Sequence, residues 1–90
     1  MAIEVTDEAV DLLRRSLESS GAAAVRLRTT RGLGGGIDVQ VEFADAPSEG
    51  EQTVEAGGVR IFVDPEVRAA YPDAIVTVEP QHETIVVRPR

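Results

Sequence analysis

The chain has 90 residues, of which 42% are hydrophobic and 28% are charged, and this length and composition are typical of one globular domain. It contains no cysteine, which excludes a disulfide framework, a thiol nucleophile and a thiolate-bound metal site within these residues. Sixteen acidic residues against nine basic ones give a net charge of −7, and such a field repels phosphate backbones and anionic membranes. We therefore expect no binding to nucleic acid or to membranes.

The first predicted element is a helix over residues 7–19, because apolar residues recur at i, i+3 and i+7 from Val10 onward. Thr6 occupies the N-cap position, and Gly21 stands where the helix is expected to stop. The charged face of this helix is interpreted as solvated surface, with a partner-binding face as the less favoured alternative. No apolar run approaches the ~20 residues of a membrane span, and the start lacks a signal-peptide pattern, so we expect a cytoplasmic location.

After the helix the hydrophobic period changes to two, which predicts strands over residues 25–30 and 37–43. The outward row of the first strand is basic and that of the second is acidic, so the two rows are expected to pair across an antiparallel ladder. The glycine-rich segment between them, residues 31–36, could be taken for a phosphate-binding loop. A strand rather than a helix follows it, so we favour a flexible hairpin loop.

The second half of the chain alternates turn signals with apolar runs. A Gly-Gly pair predicts a two-residue hairpin turn, and an aspartate followed by proline predicts a helix start. The elements predicted here are strands 53–56 and 59–63, a short helix from residue 65, capped by Asp64, to about residue 70, and a second hairpin of strands 74–78 and 84–88. The whole order predicts a single domain, residues 1–90, with an α+β, β-rich fold whose helices pack against the strands.

Candidate catalytic and metal-binding residues are few. His82, the sole histidine, is predicted to be a solvated turn residue. Asp45, Glu49 and Glu51 could hold a hard cation, but they lack the spacing of a calcium loop, so solvated charge is favoured. The serines have no nucleophile-elbow motif around them. We therefore expect neither an enzyme nor a resident metal or cofactor.

Several segments, in order and spacing, resemble the A-type iron-sulfur carriers, the HesB/IscA-like family. The segments that carry the resemblance are the leading helix, Val25-Arg26-Leu27-Arg28, Gly32-Leu33-Gly34-Gly35-Gly36, Val41-Glu42-Phe43-Ala44-Asp45-Ala46-Pro47 and Gly58-Val59-Arg60-Ile61-Phe62-Val63-Asp64-Pro65. The resemblance implies a compact mixed β-sandwich with an N-terminal helix and a short second helix. It also implies a protein that pairs into dimers or larger assemblies.

The same family holds its iron or cluster with three cysteines, none of which this sequence contains. The first would fall at Gly34, and the other two would follow Pro89, near which the sequence ends. Thiolate sulfur is what selects iron-sulfur clusters, so the resemblance implies a degenerate member with the fold and without the cluster ligands.

We therefore predict a non-catalytic binding or regulatory module, and a link to iron-sulfur cluster assembly is an open part of this hypothesis. The alternative is an iron binder or donor that uses carboxylates. Protein partners are expected, including a second copy of the chain as a homodimer. The candidate interaction surface consists of Arg26, Arg28, Arg31, Gly34, Gly35 and Gly36.

Overall fold

The computed structural model describes residues 2–31 and 37–89. Within these residues seven strands and two helices form. In chain order they are β1 (Ala2–Val5), α1 (Asp7–Ser20), β2 (Ala24–Arg31), β3 (Ile37–Ala44), β4 (Gln52–Ala56), β5 (Val59–Val63), α2 (Pro65–Ala70), β6 (Asp73–Glu79) and β7 (Thr84–Pro89). Neither of the two helices in this part of the chain has the length and hydropathy needed to cross a membrane.

The strands form two mixed sheets. A four-stranded sheet has the order β3-β2-β5-β4, and a three-stranded sheet has the order β1-β6-β7. Strand β2 runs parallel to β5, and β1 runs parallel to β6, while the other neighbours are antiparallel. The predicted α+β, β-rich fold with an N-terminal helix and a short second helix is confirmed.

Helix α1 begins and ends as its sequence predicts. The Thr6 hydroxyl accepts a hydrogen bond from the backbone N–H of Ala9 at 3.3 Å, which satisfies one of the free N–H groups of the first turn. At the other end Gly21 adopts the left-handed conformation, with φ of 75°, and its N–H donates to the last turn. The helix runs one residue further than predicted, to Ser20. Its apolar stripe, which includes Leu13, is buried.

The main core lies between the two sheets and under α1. Strands β2 and β5 supply five of its ten buried side chains, because both are central strands of the larger sheet. The fully buried side chains of this core include Val25, Leu27, Val59, Ile61, Val63, Val67 and Val76. Helix α1 packs on β2, β5 and β6, and this arrangement decides which parts of the sheets stay open to solvent.

Strand β1 was not among the predicted elements. It is four residues long, too short for a period to be recognised, and it pairs in parallel with β6, far along the chain. Ile3 lies beside Ala74, and Val5 lies beside Val76. The parallel pairing of β2 with β5 was also not predicted, because a hydrophobic period shows that a strand exists and not which strand it pairs with.

The hairpin of β4 and β5 turns at Gly57 and Gly58, as predicted. Both glycines have positive φ, 56° and 83°, which a two-residue hairpin turn requires. Gly57 also packs closely against α1. The Arg14 guanidinium donates to the Gly57 carbonyl at 2.5 Å, and a Cβ placed on Gly57 would lie 2.5 Å from Cγ1 of Val10. The turn therefore determines how the hairpin packs against α1.

We expect Gly57→Ala to destabilise the protein more than Gly58→Ala. Both changes place a side chain at positive φ, which costs about 1 kcal/mol. The first also overpacks the contact with Val10, which adds about 1 kcal/mol or more, whereas nothing lies within 4 Å of the added Cβ at Gly58. Urea unfolding followed by circular dichroism measures the difference. Equal losses for the two variants would contradict the close approach of turn and helix.

Candidate interaction site

Arg26, the first arginine of the predicted surface, holds a loop against the sheet. Its Nε donates to Glu51 Oε2 at 2.6 Å, and its Nη2 donates to the Ala46 carbonyl at 3.0 Å and to the Ser48 hydroxyl at 3.1 Å. The Glu51 side chain is 2% exposed and that of Arg26 is 20% exposed. Arg26 therefore ties the loop between β3 and β4 to the outer face of β2, and its donors are engaged there.

Glu51 is consequently an ion-pair partner and not the solvated charge that the sequence suggested. Burial alone would raise the pKa of its carboxyl group. The hydrogen bonds from Arg26 and from the Ser48 backbone N–H, together with the positive charge of Arg26, outweigh burial and hold this pKa below its ordinary value. The same hydrogen bond raises the pKa of Arg26. The sequence could not show this pairing, because it depends on how the loop folds back.

Arg28 and Arg31 are more accessible than Arg26. Arg28 Nη1 lies 3.5 Å from the Glu42 carboxylate on β3, which is the predicted pairing of a basic and an acidic row across the ladder. Both side chains of this pair are partly exposed, so the pair contributes at most about 1 kcal/mol. Arg31, at the end of β2, is exposed. The other predicted surface residues, Gly34, Gly35 and Gly36, lie outside the described residues.

His82 lies in the turn between β6 and β7, where the sequence places it, and its side chain is 73% exposed. Its Nδ1 lies 2.5 Å from Glu79 Oε2, and this contact is the main cause that lowers the pKa of Glu79. Across residues 2–31 and 37–89, no group of three histidine, aspartate or glutamate residues could hold a metal ion.

An open groove runs between β3 and β7 beside α1. Because α1 packs on β2, β5 and β6, it leaves the inner face of the edge strand β3 incompletely covered. The groove has a volume of about 450 Å³. Its apolar lining includes Leu12, Leu13, Val39, Val41, Phe43 and Ile85. Phe43 is 53% exposed, and it is the large hydrophobic side chain that the described residues present to solvent.

The groove follows the free edges of both sheets. All five residues from Val39 to Phe43 line it, although their side chains alternate between the two faces of β3. The backbone edge of β3 must therefore form one wall. The opposite wall consists of Glu83, in the turn before β7, and of Thr84 and Ile85, the first residues of β7.

Sequence reasoning missed this groove. Phe43 belongs to the inward row of β3, so its alternation predicts burial. Val39 and Val41 of this row are only half-buried and Phe43 is exposed, whereas Val25 and Leu27 of the neighbouring β2, on which α1 packs, are buried. The position of α1 on the two sheets decides whether the helix covers the edge strand β3. The hydrophobic period of β3 does not reveal that position.

No protein-family model matches the chain. Protein Rv2204c of Mycobacterium tuberculosis is 34% identical over 87 residues, and the match covers 90% of this chain and 74% of that protein. Protein Mb2227c of Mycobacterium bovis matches with the same identity and coverage.

Three solved structures share the fold. Escherichia coli SufA, which is involved in the biosynthesis of iron-sulfur clusters, superposes with a TM-score of 0.78 and 16% identity, over 97% of this chain and 77% of SufA. A protein from Aquifex aeolicus gives 0.78 and 22%, over 100% of this chain and 93% of that one. IscA with a 2Fe-2S cluster gives 0.75 and 20%, over 96% and 81%. At these identities the likeness shows the fold.

Proposed function

Because this chain belongs to the family of the mycobacterial protein Rv2204c and has the fold of the HesB/IscA-like iron-sulfur carriers, we propose that it is a non-catalytic binding or regulatory module linked to iron-sulfur cluster assembly. The protein is a HesB/IscA-like member without cysteine in its 90 residues. We expect it to act in the cytoplasm and through protein partners.

One observation carries the proposal: the carrier fold is kept while none of the 90 residues is a cysteine. Clusters are held by thiolates, and carboxylates or a single imidazole replace them poorly. At the position aligned with the first ligand the chain has Gly34, which has no side chain. A scaffold of this kind can still contact the proteins that its cluster-carrying relatives contact, without carrying a cluster itself.

The alternative, an iron donor built on carboxylates, is not favoured. Glu51, one of the three loop carboxylates considered for a hard cation, accepts hydrogen bonds from Arg26 and is 2% exposed. Asp45 accepts a hydrogen bond from the backbone N–H of Ala23. Iron would have to displace these bonds, and calorimetry at neutral pH is expected to detect no stoichiometric iron binding.

Anaerobic reconstitution tests the absence of a cluster. The purified chain is incubated with ferrous iron, sulfide and a thiol reductant, desalted, and examined by visible absorption and by analysis of bound iron and sulfide. We expect no stoichiometric chromophore. A cysteine-containing IscA-type carrier treated in parallel must take up its cluster, which shows that the reaction works. A brown protein with equimolar iron and sulfide would overturn the proposal.

Affinity capture from the source cells tests the link to cluster assembly. The tagged chain is expected to recover components of iron-sulfur assembly, identified by mass spectrometry. Arg31 is part of the proposed surface, so Arg31→Glu is expected to reduce this recovery, whereas Arg60→Glu, on the central strand β5, serves as the matched control. Capture that never contains such components would contradict the link.

A further inference from the structure

We propose that the groove between β3 and β7 binds an extended, basic segment of a partner protein, which adds as a strand to the free edge of β3. This inference rests on the proposed role as a binding module and names the kind of partner. Its evidence comes from the groove alone: a free backbone edge, an uncovered apolar floor and carboxylates on both walls.

The first argument is the free edge. Strand β3 is at the end of the order β3-β2-β5-β4, and no described strand pairs with its outer side. Its backbone forms a wall of the groove over the consecutive residues 39–43. An edge of this kind carries unpaired N–H and C=O groups, which can form main-chain hydrogen bonds with an added strand. The groove therefore offers a partner both hydrogen bonds and an apolar surface.

The second argument is the apolar floor. Leu12 from α1, Val41 from β3 and Ile85 from β7 converge beneath the edge, and Phe43 stands 53% exposed at one end. A volume of about 450 Å³ is within the range of sites that bind small ligands, and it accommodates the alternate side chains of a short strand. A partner strand would cover Phe43 and so remove its apolar surface from water.

The third argument is charge, and it selects the partner. Glu42 on β3 and Glu83, in the turn before β7, both line the groove, so a carboxylate flanks it on each side. Asp38 immediately precedes the part of β3 that lines the groove. A neighbouring hollow is lined by Glu83 together with Glu8, Asp11 and Arg15 of α1. The Glu42 carboxylate lies 3.5 Å from Nη1 of Arg28, and at this distance the two side chains form only a weak ion pair. A segment that carries lysine or arginine beside its apolar residues fits this surface.

Charge also disfavours a second copy as the occupant. Each copy carries a net charge of −7. If two β3 strands paired antiparallel about Gln40, Asp38 of one would lie directly opposite Glu42 of the other. Like charges in that position are destabilising, and charged residues on an edge strand are a common way to prevent self-association.

The test is a titration of the full chain with a peptide of about seven residues, the length of a strand, in which arginine and leucine alternate. Amide chemical shifts of the isotope-labelled protein report the site. Saturable shifts are expected at residues 39–43 and 83–85. A control peptide with glutamate in place of arginine is expected to bind at least about tenfold more weakly, because it meets like charge. Shifts confined to other surfaces, or equal binding of the two peptides, would overturn the proposal.

Variants separate the apolar and charged contributions. Phe43→Ser is expected to weaken binding of the arginine peptide about tenfold, since aromatic anchors dominate such interfaces. Glu83→Gln is expected to weaken it severalfold and to reduce its salt dependence. Glu55→Gln makes the same charge change on β4, the opposite edge, and should leave binding unchanged. Loss of affinity in Glu55→Gln equal to that in Glu83→Gln would show nonspecific attraction and contradict the site.

Sedimentation of the free chain completes the test. A dimer that Phe43→Ser abolishes would mean that a second copy fills the groove, which would overturn the choice of partner. The result is independent of cluster assembly: affinity capture without iron-sulfur components would remove the proposed function and leave the peptide titration unaffected.

Discussion

Replacing Phe62 with alanine is expected to lower the free energy of unfolding by about 3–5 kcal/mol. Phe62 is 2% exposed and lies in a small second cluster with Ala24 and Ala44, separate from the main core. Two alanines have no atoms with which to fill the cavity that the lost ring leaves. Because a domain of this size has a total stability of roughly 5–15 kcal/mol, the variant should be marginally folded.

The chain provides its own control, because its other phenylalanine is on the surface. Phe43 is 53% exposed, so Phe43→Ala should cost no more than about 1 kcal/mol. Chemical unfolding of both variants, monitored by circular dichroism, measures the contrast. A loss at Phe43 as large as that at Phe62 would mean that the edge of β3 is covered, and it would count against the open groove as well.

Replacing Arg26 with methionine is expected to cost about 2–3 kcal/mol. The change leaves the Glu51 carboxylate, which is 2% exposed, without its cation, and removing one partner of a buried pair costs roughly 3–5 kcal/mol. We expect a smaller value here because Arg26 is itself 20% exposed, so that water can reach the site under the loop. Arg26→Met also removes the hydrogen bonds from Nη2 to the Ala46 carbonyl and the Ser48 hydroxyl, which hold the loop.

The double variant Arg26→Met with Glu51→Met separates the buried charge from general damage. Replacing both partners by apolar side chains is expected to bring stability to within about 1 kcal/mol of the parent. The pair also predicts a pH dependence. Glu51 has a folded-state pKa below its ordinary value of 4.5, so its contribution is complete above pH 4.5 and is lost as the pH falls through the lower, folded-state value. Below pH 4.5 the parent should therefore lose stability more steeply than the double variant.

Equal acid sensitivity of the parent and the double variant would show that Glu51 is not linked to folding. Glu79 titrates in the same direction, because its contact with His82 lowers its pKa as well. Glu79 is unchanged in the double variant, so its contribution is common to both proteins and cancels in the comparison.

Local sequence signals predicted the local structure closely. The caps Thr6 and Gly21 set the ends of α1, and the Gly57-Gly58 pair set the hairpin turn. These features depend on backbone preferences of a few adjacent residues, so a single sequence contains them. The antiparallel pairing of β2 with β3 was also predictable, because the two strands follow each other and carry complementary outward rows.

Features that join distant parts of the chain were not predictable in this way. Strand β1 is defined by its partner β6 and not by its own four residues. Glu51 is buried because its loop folds back onto Arg26, 25 residues earlier in the chain. The exposure of Phe43 depends on where α1 stops covering the sheet. In each case a tertiary contact decides the structure, because the local sequence alone is compatible with more than one conformation or degree of burial.

The parallel pairing of β1 with β6 has a consequence for the order of events during synthesis. Ala2 pairs with Asp73 and Val5 with Val76, so the smaller sheet cannot close until most of the chain has left the ribosome. Strands β2 to β5 lie between residues 24 and 63 and can assemble earlier. At about 5–20 residues per second, the first strand waits for several seconds with an unpaired edge. We expect the nascent chain to be open to capture by chaperones during that interval.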